Sequence, residues 1–296
     1  DAAGVRHTEA LFPLRPGPTF AVDPVAAEKA QERAEAKAME VRRSRTAAAG
    51  RYRLQKRFVS EFRAEFAKIV GREVKQLRRF LASADSPEQF LSEVDAFYDV
   101  DRLRDKEDPR EGGHMEFVER DYSRLLTAYG GAVADETVAE LNLEAVPDAF
   151  DLSLWVARYV RRFSRRHAAR STNQLKAIVR RAAGEGVVEA IGERLVEWEE
   201  KRPEKIAEEE SVSSAGSTTR ALFITAGVIS MQWVAFGDNC PLCDELNGQT
   251  VGVREAFVGK GQSVNPEDED TEPLTVRHAV LHAPLHAGCD CVVVAA

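Results

Sequence analysis

Between Phe58 and Leu81 the apolar residues Phe58, Phe62, Phe66, Val70, Val74, Leu77 and Leu81 recur at every third or fourth position. That spacing puts them on one stripe of a helix more than six turns long. Arginine and lysine fill much of the opposite face. So long a stripe must be covered by other helices, and the sequence supplies them. Ser86-Pro87-Glu88 offers an N-cap with proline in the first turn, ahead of Phe90, Val94 and Phe97. Further helices are expected over Met115 to Tyr129 and Asp135 to Leu143. Another carries Trp155, Tyr159 and Phe163, and one more runs from Val187 to about Lys201. Pro203 is expected to open the next, from about Glu204 to Ala226, with a weak point at Gly216.

The texture changes after Gly227. Short β-branched runs such as Val228 to Phe236, Thr250 to Val253 and Cys291 to Val294 replace the helical period. The fold class expected is mainly α: a long helical N-terminal region with a small α+β, cysteine-bearing C-terminal module. The boundaries read as an extended arm over 1–23, where Pro13, Pro16 and Pro18 fall, and a helical region over 24–149. A second helical part over 150–227 and the small module over 228–296 follow. Asn247-Gly248 suggests a type I′ turn, and the acidic Asn265 to Pro273 a surface loop. The chain begins with Asp1, not Met, which suggests processing or excision from something longer.

All four cysteines lie in the last fifth of the chain, as two close pairs. Cys240-Pro-Leu-Cys243 is followed at long range by His286-Ala-Gly-Cys289-Asp-Cys291. A Cys-x-x-Cys turn holds two thiolates at one centre, and two further soft ligands complete a tetrahedron around zinc. One structural zinc on Cys240, Cys243, Cys289 and Cys291 is the first reading, with His286 as the alternative ligand. Reduced core thiols and disulfides are the others. The long loop between the pairs adds little closure entropy.

Other signals are weaker. Arg158, Arg162, Arg165 and Arg166 fall on one helical face, away from Trp155, Tyr159 and Phe163. They are candidate contacts to DNA phosphates or an acidic partner, against a plain solvated face. The basic run Arg42 to Arg57 is read the same way. The net charge of −8 argues against a purely basic nucleic-acid binder. His278, His282 and His286 are spaced by four, as on some catalytic zinc helices, but Pro284 interrupts them and no glutamate follows His278 as a base. No phosphate-binding loop, nucleophile elbow or dinucleotide fingerprint is present, and no long apolar run suggests a membrane span. The chain is expected not to be an enzyme.

The stretch from Glu210 to Cys291 resembles the C-terminal domain of the phage Mu F-like head morphogenesis family. The matching residues are Glu210, Gly227, Trp233, Asp238, Cys240, Cys243, Leu246, Gly248, His286, Cys289 and Cys291. The helices from about Phe150 to Lys205 are similar to the region that precedes it, and the first 150 residues carry no resemblance. Ala287 stands where the family has proline, and Asp290 where it has arginine between the last cysteines. The resemblance implies a minor capsid protein of a tailed bacteriophage, inside the head near the portal. It would act in capsid assembly or in DNA packaging and delivery, with the portal or other head proteins as partners and possible contact with packaged DNA. Its location would be the virion interior, and the host cytoplasm during assembly. A zinc-dependent nuclease or toxin-like enzyme, and a DNA-binding regulator with a zinc module, are the competing classes. From the residues alone, Trp233 is expected in a module core and Asp238 in a turn. Glu210 is read as a helical charge, either solvated or paired with an arginine.

Overall fold

The structure, a computed structural model, describes residues 24–98, 113–182, 186–236, 240–268 and 270–296. The expected arm over 1–23, most of the loop over 99–113, and Asp238 lie outside the described residues. The chain divides into two compact units, Asp1–Arg42 and Arg43–Ala296. Within the first, the Gln31 amide donates to Glu35 one helical turn on, at 2.9 Å. The second holds the helical bundle and the cysteine module.

Five long helices run in order: α1 Pro24–Ser83, α2 Pro87–Tyr98, α3 His114–Leu141, α4 Leu152–Ala182 and α5 Val187–Thr225. The α1 stripe is buried from Phe58 through Leu77, as its period requires. Phe62 meets Phe66, Tyr122 and Tyr129, and Phe66 meets Phe163, so aromatic side chains of α1, α3 and α4 form one core. Ser86 caps α2 through the Gln89 amide at 3.2 Å, while Gln89 Oε1 accepts the Asp85 amide at 2.8 Å. Helices on both sides of position 150 share this core.

Two expected breaks are absent. The two expected segments form one helix, α3 His114–Leu141, which continues through Gly130 and Gly131. A Cβ on Gly130 would stand 3.1 Å from Leu152 and 3.5 Å from Trp155, so glycine there lets the start of α4 approach the α3 backbone. Pro203 likewise lies inside α5 and does not open a new helix. Buried packing on both sides, with Trp198 and Ala207 in the core, carries the helix past its missing N–H.

The module follows α5. Strands β1 Ser230–Val234, β2 Thr250–Gly252 and β5 Val292–Ala295 form an antiparallel sheet in the order β2-β1-β5. A short helix, α6 Pro241–Asp244, begins at Cys240, and β3 Ser263–Val264 pairs with β4 Leu274–Thr275. The acidic loop spans β3 to β4, as expected. The Asn247-Gly248 link is not a type I′ turn. Gly248 alone has a positive φ of 81°, and Asn247 instead accepts the Ala235 amide at 3.0 Å through its side chain.

The module is seated on the bundle by its last strand and by α5. Arg51 is buried, donates to the Val293 carbonyl at 2.8 Å and forms an ion pair with Glu140. Glu140 also accepts the Ala295 amide at 2.7 Å. This arginine of the basic run is therefore a fastening between α1, α3 and β5, neither a solvated charge nor an anion contact. At α5, a Cβ on Gly216 would lie 2.8 Å from the Ala283 carbonyl oxygen and 2.9 Å from His282. The expected weak point is thus a close approach of module backbone to helix.

Gly71, on α1, has nothing within 4 Å of its would-be Cβ. Gly71→Ala is expected to raise stability by about 0.5–1 kcal/mol through helix propensity. Gly216→Ala is expected to lower it by about 1–3 kcal/mol because backbone must move. Chemical denaturation of both variants against the parent checks the pair; an equal gain in both would mean the module does not press on α5.

Candidate metal centre

Cys240 caps α6 and Cys243 lies within it, where Pro241 starts the turn and the Cys243 and Asp244 amides both donate to the Cys240 carbonyl, at 2.9 and 3.1 Å. The tight turn brings both sulfurs to one side. The other half comes from the segment after Leu285, where Gly288 adopts a φ of 81° and the Cys289 amide donates to the His286 carbonyl at 3.3 Å. Leucine, valine and aromatic side chains of the module, including Phe257 and Leu246, pack around the thiols, and Val212 and Phe223 of α5 form part of the same core.

The expected donors all converge. His286 Nε2 lies 2.9 Å from Cys240 Sγ and 3.4 Å from Cys243 Sγ. Cys243 Sγ lies 3.4 Å from Cys289 Sγ. Donor atoms of Cys240, Cys243 and His286 lie within 4.8 Å of one another, and so do those of Cys243, Cys289 and Cys291. None of the four cysteines is in a disulfide. His286, the alternative ligand from sequence, stands against both cysteines of the first pair.

The chemistry of this set favours a soft cation. With Zn–S near 2.3 Å and Zn–N near 2.1 Å, tetrahedral edges are about 3.6–3.8 Å; the two 3.4 Å separations approach this, and the 2.9 Å contact of Cys240 with His286 would have to open for an ion to enter. Hydrogen bonds from the Cys243 and Cys291 thiols hold Cys289 down to about 3, and the same contacts push Cys243 up. The cluster therefore already accommodates thiolate charge. Burial tends to lower the His286 pKa, but the Ala287 carbonyl and Cys240 outweigh it and raise it. That carbonyl lies 2.8 Å from Nδ1, which fixes the Nδ1–H tautomer and leaves the Nε2 lone pair facing the sulfurs. The Trp233 indole nitrogen is buried without a hydrogen-bond partner among the described residues, and the Cys291 sulfur, whose pKa is raised to about 12, is the acceptor nearest to its electrostatic influence. The cluster can hold a metal ion such as zinc.

Lys56 of α1 pairs with Asp290, between the last two cysteines, at 2.7 Å.

Glu210 and the arginine face meet nearby. Glu210 is buried, not solvated; it accepts the Tyr122 and Tyr159 hydroxyls at 2.9 and 2.8 Å, and Arg166 stands 3.8 Å away. Burial outweighs these partners and raises its pKa. A cleft of about 890 Å³ lies between α4 and the segment from Leu274 to His286. Arg162, Arg165, Arg166 and Arg170 line one wall, with His278 and His282 opposite. Arg158 is exposed but outside the cleft, and Arg170 belongs to it although the sequence reading left it out of the stripe. The three histidines share no helix; His278 and His282 lie on irregular chain, and His286 turns to the cysteines.

A second buried cluster had no sequence signal at all. Glu73 of α1, His114 of α3 and His167 of α4 come together inside the bundle, from positions far apart in the chain. Comparison with protein-family models, with curated proteins and with solved structures finds no match.

A zinc ion held at this cluster is expected to protect the cysteines from alkylation. A strong chelator should expose them and loosen the module while the helical signal of the bundle persists. Thiol labelling with and without chelator, read by mass spectrometry, checks this; equal labelling in both would count against a metal.

Proposed function

We propose that the protein is a minor head protein of a tailed bacteriophage, similar to the Mu F-like head morphogenesis family, in which a structural zinc fastens the C-terminal module to a helical bundle. The observation that carries the reading is the convergence of residues scattered through the resembling stretch. Trp233, Cys240, Cys243, Leu246, Cys289 and Cys291 share one core. Glu210 is held in the bundle beneath it by two tyrosines. In the finer assignment, the zinc takes Cys240, Cys243, Cys289 and His286, because His286 Nε2 faces the first pair and Cys289 Sγ lies 3.4 Å from Cys243 Sγ. Cys291 then receives the Trp233 N–H. The zinc is structural, since four protein ligands leave no open position.

The arginine-lined cleft suits a polyanion, and packaged DNA is the occupant favoured here. Four guanidiniums of α4 line it, of which Arg166 and Arg170 also stand within 4 Å of Glu210 and Glu209, while the chain as a whole is acidic. The nuclease reading draws on His278 and His282 in the same cleft. Among the described residues, however, the only His, Cys, Asp and Glu groups close enough to hold a metal are the thiol cluster and the Glu73 cluster. Among the described residues no helix is long and apolar enough to cross a membrane.

Mass spectrometry of purified particles tests the assignment: the chain should be found in virions at low copy number, and its absence from them would remove the reading. For the cleft, Arg162→Glu with Arg165→Glu is preferred over any change at Arg166, which stands beside buried Glu210. The double variant should bind DNA more weakly, with the slope of log affinity against log salt reduced by about two. An unchanged slope, with binding to the portal lost instead, would make the cleft a protein-docking surface.

A further inference from the structure

His114 is anomalous. It is 1% exposed, and among the described residues neither ring nitrogen has a hydrogen-bond partner. A buried imidazole with both nitrogens unsatisfied loses its hydration without compensation, so an ion or water is the usual explanation. Its surroundings contain the other parts of a site. His167 Nε2 stands 3.0 Å from Glu73 Oε2, and the donor atoms of Glu73, His114 and His167 all lie within 4.8 Å of one another. That pair is hydrogen-bonded as it stands, and its length is also the edge of about 3.0 Å that two cation–ligand bonds of about 2.1 Å make at right angles, so an ion can take the place of the shared proton without spreading the pair.

From this juxtaposition we infer that Glu73, His114 and His167 form a second metal site, for a first-row divalent transition ion, inside the helical bundle. Two imidazoles and one carboxylate are a borderline donor set. They suit zinc, iron, cobalt or nickel and provide too few oxygens for calcium or magnesium. The remaining carboxylate oxygen, Oε1, is already oriented: it accepts the Ser171 hydroxyl at 2.7 Å and the Tyr98 hydroxyl. Such outer contacts fix a ligand before the ion arrives. The rings are fixed as well, with His114 stacked on Phe97 at 4.8 Å and His167 on Phe163 at 5.7 Å.

Two cations oppose an ion here: Arg72 acts on His114, and Arg202 stands 3.6 Å from Glu73 Oε2. Arg202 does not depend on Glu73. Its guanidinium donates to Ser171 and Gln174, both at 2.9 Å, and lies 3.2 Å from the centre of the Trp198 ring. Glu73 can therefore turn toward an ion without releasing Arg202, though the neighbouring charges weaken binding. The three ligands come from α1, α3 and α4 and are buried. The ion would tie three helices together and would not meet a substrate. This inference does not rest on the phage assignment or on the thiol cluster.

The test is a cobalt(II) titration of the full chain as purified, followed by visible spectroscopy and thermal unfolding. One equivalent should enter with weak visible bands and without the intense near-ultraviolet band that thiolate ligation produces. It should raise the unfolding midpoint of the parent. His114→Phe keeps the ring stacked on Phe97 and should abolish both effects while its circular dichroism stays that of the parent. Three results would overturn the inference: no such equivalent in the folded parent, binding only with the thiolate band, or binding retained by His114→Phe. If His114→Phe instead leaves no folded protein, Glu73→Gln provides the same readout, and the parent titration decides alone.

Discussion

Thiolates packed into a dry core repel one another unless a cation or a set of donors shares their charge, and the module is arranged around that constraint. Its two sheets are small, and the strands outside the three-stranded sheet are only two residues long. So little regular structure offers few backbone hydrogen bonds to hold the loops between β2 and β5. The thiol cluster joins the α6 turn to the segment before β5, closing the longest loop of the module where regular hydrogen bonding does not. Cys243 is the common member, since both donor groups include it. Its position follows from Pro241 and the hydrogen-bonded turn, which is local sequence, while the arrival of His286 and Cys289 depends on the whole module folding around Trp233 and Phe257.

Helix α5 is the element that bundle and module share. Going along it, Trp198 and Ala207 pack into the bundle, Glu210 is held by tyrosines of α3 and α4, Gly216 admits the Ala283 carbonyl, and Phe223 enters the module core. The cleft lies beside this transition, walled by α4 and by the same chain segment that supplies Ala283 and His286. Its shape therefore depends on the seating of the module, and loss of the thiol cluster would be felt at the arginines. Arg51 and Glu140 hold the opposite edge, at β5, so the module is fixed from two sides.

The parts legible in sequence are those with a local signature. The α1 stripe, the Ser86 cap and the change from helical to β-branched texture near Gly227 each depend on residues close in the chain, and each is present in the structure. The cysteine pairs were legible because Cys-x-x-Cys is a local turn and a soft ligand set has few other uses. What escaped was set by tertiary contact. Gly216 and Pro203 look like breaks because propensity counts a missing side chain or N–H and cannot see packing that compensates. Glu210 and Arg51 look like surface charges, yet partners far away in sequence bury them. Glu73, His114 and His167 have no common spacing, since three different helices bring them together; a buried imidazole with no partner among the described residues marks them.

The central claim is that the converging cysteines and His286 hold one zinc with protein ligands alone. X-ray absorption at the zinc edge, on full-length protein purified without added metal, tests it most directly because it counts sulfur and lighter ligands at their bond lengths. The account predicts one zinc per chain at this cluster, four-coordinate, with three sulfurs near 2.3 Å and one nitrogen near 2.1 Å. Purified protein that carries no zinc and has four freely reactive thiols would contradict it, as would a zinc shell made mainly of oxygen.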